Sequence, residues 1–101
     1  LKTVTIGNNV KTIYDSAFLS CPKLTKVVTG TGLTQIGTKA FYNCRKLKTI
    51  QIKSTKLKKV GRLAFKNIYA KATIKVPSRK LTAYKKLLRG KGQKSSVKIR
   101  R

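Results

Sequence analysis

The sequence predicts a β-rich solenoid, a fold in which similar short units stack in a row and pack mainly against their neighbours. The dipeptide Ala-Phe recurs at steps of 23 and 24 residues and ends at Phe18, Phe41 and Phe65. A fixed period of this size is typical of repeat architectures. The other apolar residues keep the same period in four columns. These columns are Leu1, Leu24 and Leu47; Val4, Val27 and Ile50; Val10, Leu33 and Leu57; and Ile13, Ile36 and Val60.

Residues 1–23 form the first predicted unit. Val4-Thr5-Ile6 alternates apolar and polar residues, which predicts a short strand, and Gly7 supplies a turn after it. Leu1 enters in the middle of a repeat and nothing upstream covers this unit, so we expect a terminus cut from something longer that frays or self-associates. The predicted core of the unit is Val4, Ile6, Val10, Ile13, Ala17, Phe18 and Cys21.

Residues 24–46 and 47–69 form the second and third predicted units. Ile50-Gln51-Ile52 alternates and predicts a strand in the third unit. Gly37 and Gly61 follow the fourth apolar column, where a bend without a Cβ is easiest. The outward positions of the third unit are basic: Lys48, Lys53, Lys56, Lys58, Lys59, Arg62 and Lys66.

Residues 77–101 break the period and are predicted to close the solenoid of residues 1–76. Ile74-Lys75-Val76 adds a last strand in register, Pro77 ends it, and Ser78 is the predicted N-cap of a helix over residues 79–89. Gly90 suits the position after the helix, and residues 96–99 predict a closing strand. We expect the helix to cover the last repeat, although a role on a partner or a membrane surface is an alternative. Its apolar face is Leu81, Tyr84, Leu87 and Leu88.

Residues 36–47 carry a family resemblance. Their sequence, Ile-Gly-Thr-Lys-Ala-Phe-Tyr-Asn-Cys-Arg-Lys-Leu, resembles the Ile-Gly-x-x-Ala-Phe-x-x-Cys-x-x-Leu signature of BspA-like leucine-rich repeats. The resemblance covers residues 1–76, and the run from Ala72 to Ile99 is similar to the closing segment of such proteins. The sequence departs from the pattern at Gly7, where a Pro is usual, and at Ile68, where a Cys is expected.

The resemblance implies leucine-rich repeats of 23–24 residues closed by a C-terminal helix and a final short strand. It also implies the C-terminal portion of a bacterial cell-surface or secreted protein with a binding or adhesion role, and therefore an extracellular location. No signal peptide is visible at Leu1-Lys2-Thr3, so this location follows from the resemblance alone.

The charge of the chain is extreme and one-sided. There are 26 Lys and Arg residues against one acidic residue, Asp15, and the net charge is +25. Residues 1–44 hold five of the basic residues and residues 45–101 hold twenty-one. Such an excess attracts anions. An alternative is that the Lys residues only keep the surface of the solenoid solvated, but a mixture of positive and negative residues would do this equally well.

Three functional hypotheses follow. The first is an interaction module with an unidentified protein ligand, and the second is a charge-driven binder of a polyanion such as a wall polymer, a sulfated glycan or a nucleic acid. The third is a segment that only terminates the solenoid. For the second we predict a positive surface in which Lys11, Lys58 and Lys59 come from matching repeat positions. The candidate polyanion-binding residues are Lys48, Lys53, Lys58, Lys59, Lys75, Lys85, Lys86 and Arg89.

The residues for enzymatic chemistry are largely missing from the sequence. There is no His and one side-chain carboxylate, so neither a carboxylate pair nor a Ser-His-Asp arrangement can form. Two Cys residues without His make a poor zinc site, since four ligands are normally needed. We therefore expect no enzyme, cofactor, metal or small-molecule substrate. No apolar run approaches the ~20 residues that span a bilayer.

Cys21 and Cys44 admit a disulfide or a column of buried thiols. Equivalent residues on adjacent turns stack about 4.8 Å apart, whereas the Cβ atoms of a disulfide lie about 3.8 Å apart. This difference predicts free thiols, and the same stacking predicts that Phe18 and Phe65 pack on Phe41. The four Tyr residues fall in different columns, so no platform for stacking nucleic-acid bases is predicted.

Overall fold

The computed structural model describes residues 3–101, and Leu1, the predicted first member of an apolar column, lies outside them. The strands are only two to four residues long, because each unit turns after a few residues. The elements in chain order are β1 (Thr3–Thr5), β2 (Thr12–Ile13), β3 (Lys26–Thr29), β4 (Gln35–Ile36), β5 (Thr49–Ile52), β6 (Lys59–Val60), β7 (Thr73–Lys75), a 3₁₀ turn (Ser78–Lys80), α1 (Leu81–Leu88) and β8 (Lys98–Arg100).

The strands form two parallel sheets. Sheet A has the order β1-β3-β5-β7-β8, and sheet B has the order β2-β4-β6. The predicted columns are confirmed as rows of paired residues: Val4, Val27 and Ile50 lie side by side in sheet A. Ile13, Ile36 and Val60 lie side by side in sheet B. Each repeat therefore contributes one strand to each sheet, and the apolar residues of both sheets face a shared core.

The Ala-Phe segments stack on a third side of the solenoid through backbone hydrogen bonds. The amide of Phe18 donates to the carbonyl of Ala40 at 2.8 Å, and the amide of Phe41 donates to that of Ala64 at 2.9 Å. The amide of Phe65 then donates to the carbonyl of Lys91 at 3.0 Å, so the closing segment continues the ladder. The residues before and after these segments take left-handed conformations, with φ between 55° and 62°: Ser16, Ser20, Lys39, Asn43, Leu63 and Asn67.

The phenylalanine rings form the predicted stack. The ring centroids of Phe18 and Phe41 lie 5.4 Å apart and those of Phe41 and Phe65 lie 5.9 Å apart, with nearly parallel planes. Phe41 and Phe65 are fully buried. Phe18 is only half-buried, because a neighbouring repeat covers it on one side alone among residues 3–101.

The apolar side chains of the first unit are more exposed than predicted. Of its seven predicted core residues only Ile13 is buried, while Val10 is 40% exposed and Ala17 is also exposed. The prediction for Val10 and Ala17 was wrong, because a repeat buries its apolar face only against a neighbouring repeat. Their counterparts in the second unit, Leu33 and Ala40, have described neighbours on both sides and are fully buried.

The helix begins two residues later than predicted, and Ser78 is not its N-cap. Ser78 opens the 3₁₀ turn, where the amide of Lys80 donates to the carbonyl of Pro77 at 2.9 Å, and no side chain caps either helical segment. This backbone bond satisfies an amide that a cap would otherwise serve. Gly90 follows the helix with φ 71°, as its predicted role requires. Tyr84 and Leu88 are buried, and Leu81 and Leu87 are half-buried.

Both cysteines are free thiols. The thiol of Cys44 donates to the carbonyl oxygen of Phe18 at 2.9 Å, and burial raises the pKa of this thiol to about 11. Cys21 is half-buried at the more exposed end of the column. The column therefore packs as small apolar side chains, as the spacing argument predicts.

Candidate ligand-binding groove

The predicted basic residues of sheet A lie along its third and fourth strands. Lys75 is exposed on the outward side of β7, and Lys53 follows β5, where its amide donates to the hydroxyl of Thr29 at 3.3 Å. The ammonium nitrogen of Lys48 lies 5.5 Å from the centroid of the Tyr69 ring, a cation–π distance. Lys75 therefore belongs to sheet A, whereas Lys48 and Lys53 lie directly before and after its strand β5.

The predicted basic residues of the other sheet lie at β6. Lys58 matches Lys11, with Thr34 between them, since Lys58 donates its amide to Thr34 and Thr34 donates to Lys11. Lys59 pairs with Gln35, which pairs with Thr12, so Lys59 does not match Lys11. The prediction of matching positions was wrong for Lys59, because Lys58 and Lys59 are consecutive residues and therefore lie in different rows.

The remaining predicted residues lie on α1 or directly after it. Lys85, Lys86 and Arg89 are all exposed. Lys85 and Arg89 line a groove between α1 and β8, whereas Lys86 does not. The eight predicted residues are thus distributed over β6, β7, α1 and positions that directly flank β5, β6 and α1.

The groove, called here the α1–β8 groove, has a volume of about 750 Å³. It combines cationic side chains with apolar ones, since Val97 is 8% exposed and Ile99 is half-buried against the core. The amide side chain of Gln93 closes one part of the wall by donating to the carbonyl of Leu88 at 2.6 Å. The cationic residues that line the groove are Lys85, Arg89, Lys94, Lys98 and Arg100.

No acidic side chain lies in the α1–β8 groove. The chain has a single carboxylate side chain, Asp15, and it accepts a hydrogen bond from the amide of Thr38 at 2.8 Å in the first two units. The five cationic side chains therefore have no side-chain counterion within the chain. Their positive potential is open to an external anion.

Three of the five cationic groove residues were missed from the sequence: Lys94, Lys98 and Arg100. A signal for two of them was present, because Lys98 and Arg100 alternate with Ile99 in and just beyond the predicted closing strand. That alternation places them together on the outward side of a strand. Lys94 lies in the irregular segment after the helix, where no periodicity indicates which way a side chain points.

A second cavity, of about 540 Å³, lies beside β2 and β4 and includes Tyr14 and Asp15. Its single carboxylate is already hydrogen-bonded to Thr38. Residues 3–101 contain no group of three or more His, Cys, Asp or Glu side chains that could hold a metal ion. Over the same residues, no helix has both the length and the apolar character to cross a bilayer.

Comparison with known proteins gives one match. The family model described as a BspA-type leucine-rich-repeat region of six copies matches residues 1–99. No curated protein and no solved structure matches the chain. The matched segment includes the three repeats, α1 and most of β8, and so nearly the whole of the α1–β8 groove.

Proposed function

The chain belongs to the BspA-type leucine-rich-repeat family. From this premise we propose that it is a non-catalytic interaction module of a bacterial cell-surface or secreted protein. We further propose that residues 45–101 of this module bind anionic polymers. Members of this family are typically surface-bound or secreted, and leucine-rich repeats typically mediate interactions. Membership of the family supports the role as an interaction module, and the positive charge of the chain supports an anionic ligand.

The one-sided charge of residues 45–101 carries the proposal. This half of the sequence has twenty-one basic residues and no acidic one. Alternating signs of charge would solvate a solenoid equally well, so solubility alone does not explain the imbalance. A surface of this kind binds a polyanion by releasing its condensed counterions, which favours any linear polymer of regular negative charge.

The absence of catalysis is part of the proposal. The sequence has no His, and its one carboxylate side chain accepts a backbone hydrogen bond from Thr38. A histidine base or a pair of carboxylates therefore cannot be assembled from this chain, and Lys and Tyr are the acid–base residue types that remain. We also propose that residues 77–101 act as a cap on the solenoid of residues 1–76.

A titration at two salt concentrations tests the proposal. Heparin, a poly(glycerol phosphate) and duplex DNA should all bind at low salt. The logarithm of the DNA affinity should fall by about 0.9 per tenfold increase in salt for each phosphate neutralised. Failure of all three polymers to bind at low salt would overturn the proposal.

Two variants with equal loss of charge locate the surface. One carries alanine at Lys53, Lys75 and Lys85, and the control carries alanine at Lys23, Lys26 and Lys39, which are all exposed. The first set belongs to the basic half and should weaken polymer binding more than the control set. Equal weakening would show that net charge acts without a preferred surface.

A further inference from the structure

Among residues 3–101, strand β8 forms one edge of sheet A. Its residues Lys98 and Arg100 bond to the β7 side: the amide of Lys98 donates to Ala72 at 3.0 Å, and the carbonyl of Arg100 accepts from Val76 at 2.8 Å. In a parallel ladder, successive residues direct their amide and carbonyl groups to opposite sides. The amide and carbonyl of Ile99 therefore face away from β7, toward the side of β8 on which the sheet order has no further strand among residues 3–101.

The α1–β8 groove includes all three residues of this edge strand. Lys98, Ile99 and Arg100 of β8 line one wall, and Lys85 of α1 and Arg89, the residue after α1, line the other. The groove is therefore bordered by unpaired backbone groups, apolar surface and cationic side chains at once. A polymer of sugars or phosphates would use the charges, but it lacks the regularly spaced backbone N–H and C=O groups that pair with a strand edge.

The side chains of β8 alternate across the sheet. Ile99 is in register with the buried Ile74 and packs against the core, while Lys98 and Arg100 are exposed on the outward side. A strand added beside β8 would place its residues in the same rows. Its residues beside Lys98 and Arg100 would favour negative charge, and the residue beside Ile99 would favour an apolar side chain.

We propose that the α1–β8 groove binds an extended acidic polypeptide segment, in which acidic and apolar residues alternate, as an additional strand on the free edge of β8. This proposal goes beyond the binding of anionic polymers, because it names a different ligand class and a shaped site. Addition of a strand to an exposed sheet edge is an established mode of peptide recognition.

The charge of β8 also determines which strands are rejected. Lys residues on an edge strand discourage pairing with other strands, and a second copy of this chain would bring another net charge of +25 to the interface. Repulsion of like charge therefore disfavours pairing between copies, whereas an acidic strand would neutralise Lys98 and Arg100. Selectivity of this kind combines attraction to one partner with repulsion of others.

Three synthetic peptides test the proposal by fluorescence polarisation at physiological salt. The first alternates glutamate and valine, the second has the same composition with the glutamates grouped at one end, and the third alternates glutamate and proline. All three carry the same charge. We expect the first to bind at least about tenfold more tightly than the other two, because only it can pair along β8 and keep the side-chain alternation. Equal binding of the three would overturn the proposal.

Amide hydrogen exchange measured by NMR gives a direct readout. The first peptide should protect the amide of Ile99, which faces the groove, more than it changes the amides of Lys98 and Arg100, which already face β7. Binding without protection of the Ile99 amide would mean that no strand is added.

A matched pair of variants completes the test. Replacing Lys98 and Arg100 with alanine should weaken binding of the first peptide by about tenfold, since each replacement removes a charged pair. Replacing Lys11 and Lys26 with alanine removes the same charge elsewhere and should have little effect on this binding. Heparin is titrated in parallel. If heparin binds and the peptides are not distinguished, the groove proposal fails while the polymer proposal stands. If the first peptide binds as described and heparin does not bind, the groove proposal stands while the polymer proposal fails.

Discussion

Burial along the phenylalanine column follows the number of neighbouring repeats. Phe41 lies between Phe18 and Phe65, and its side chain is fully buried. Phe65 has Phe41 on one side, and its own amide donates to the carbonyl of Lys91 in the closing segment. Phe18 has a described ring neighbour on one side only and is half-buried. The same residue type thus has three different environments within one column.

We predict that Phe41→Ala lowers the free energy of unfolding by about 3–5 kcal/mol, because it opens a cavity in the centre of the stack. This is a large part of the stability of a small domain. Phe18→Ala serves as the control and should cost less, since its ring is already partly in water. Urea unfolding measures both values, and a loss for Phe41→Ala no greater than for Phe18→Ala would contradict the burial argument.

We predict that iodoacetamide modifies Cys21 before Cys44 in the folded protein at mildly alkaline pH. Burial raises the pKa of the Cys44 thiol to about 11, so the neutral thiol persists and the reactive thiolate forms only as the pH approaches that value. Mass spectrometry of the native, non-reduced protein measures both modifications. A quantitative crosslink between Cys21 and Cys44, or faster modification of Cys44, would be the contrary result.

At the scale of the elements, Tyr84 connects α1 to the third repeat. Its hydroxyl donates to the carbonyl of Ser54 at 2.8 Å and accepts from the amide of Leu57 at 3.1 Å. Ser54 is itself buried, and its hydroxyl donates to the carbonyl of Leu33 at 2.5 Å. One side chain of the helix therefore satisfies two backbone groups of the loop before β6.

We predict that Tyr84→Phe lowers the free energy of unfolding by about 1–3 kcal/mol, because it leaves the buried amide of Leu57 without its hydrogen-bond acceptor. Tyr14→Phe is the control, since Tyr14 is 75% exposed, and it should change stability little. Thermal or urea unfolding measures both variants. Equal, small effects would mean that water replaces the lost hydroxyl at Leu57.

At the scale of the whole molecule, charge and burial change together along the chain. The first unit holds the single acidic residue and has the most exposed core. The third unit and the closing segment hold most of the basic residues. The third unit buries its apolar side chains between the second unit and the closing segment. The basic surface thus lies on the better-packed part of the molecule.

We predict that amide protection against hydrogen exchange rises from residues 3–13 to residues 35–60. Local opening costs less free energy where fewer apolar contacts are broken, and Val10 is 40% exposed while Leu33 is fully buried. Sedimentation at several concentrations accompanies the measurement, because self-association would cover the first unit. Equally strong protection of both segments in a monomer would contradict the prediction.

The sequence by itself determined the repeat and its register. Columns such as Ile13, Ile36 and Val60 are readable because each repeat must present the same apolar residues to its neighbours. The helix and the closing strand were also predictable, since α1 shows helical spacing of apolar residues and residues around Ile99 alternate. The basic character of the candidate site could be predicted from composition alone.

Only the tertiary structure decided which charged residues face one another. Lys85 and Lys98 are in different elements, and their meeting in the α1–β8 groove depends on how the helix packs beside β8. The two-residue strands of sheet B are too short for a periodic pattern, so their pairing follows from the stacking of repeats. The exposure of Val10 has the same origin: its residue type predicts burial, but burial requires a neighbouring repeat. Local pattern specifies what each unit is, and long-range packing specifies which surfaces remain open to a ligand.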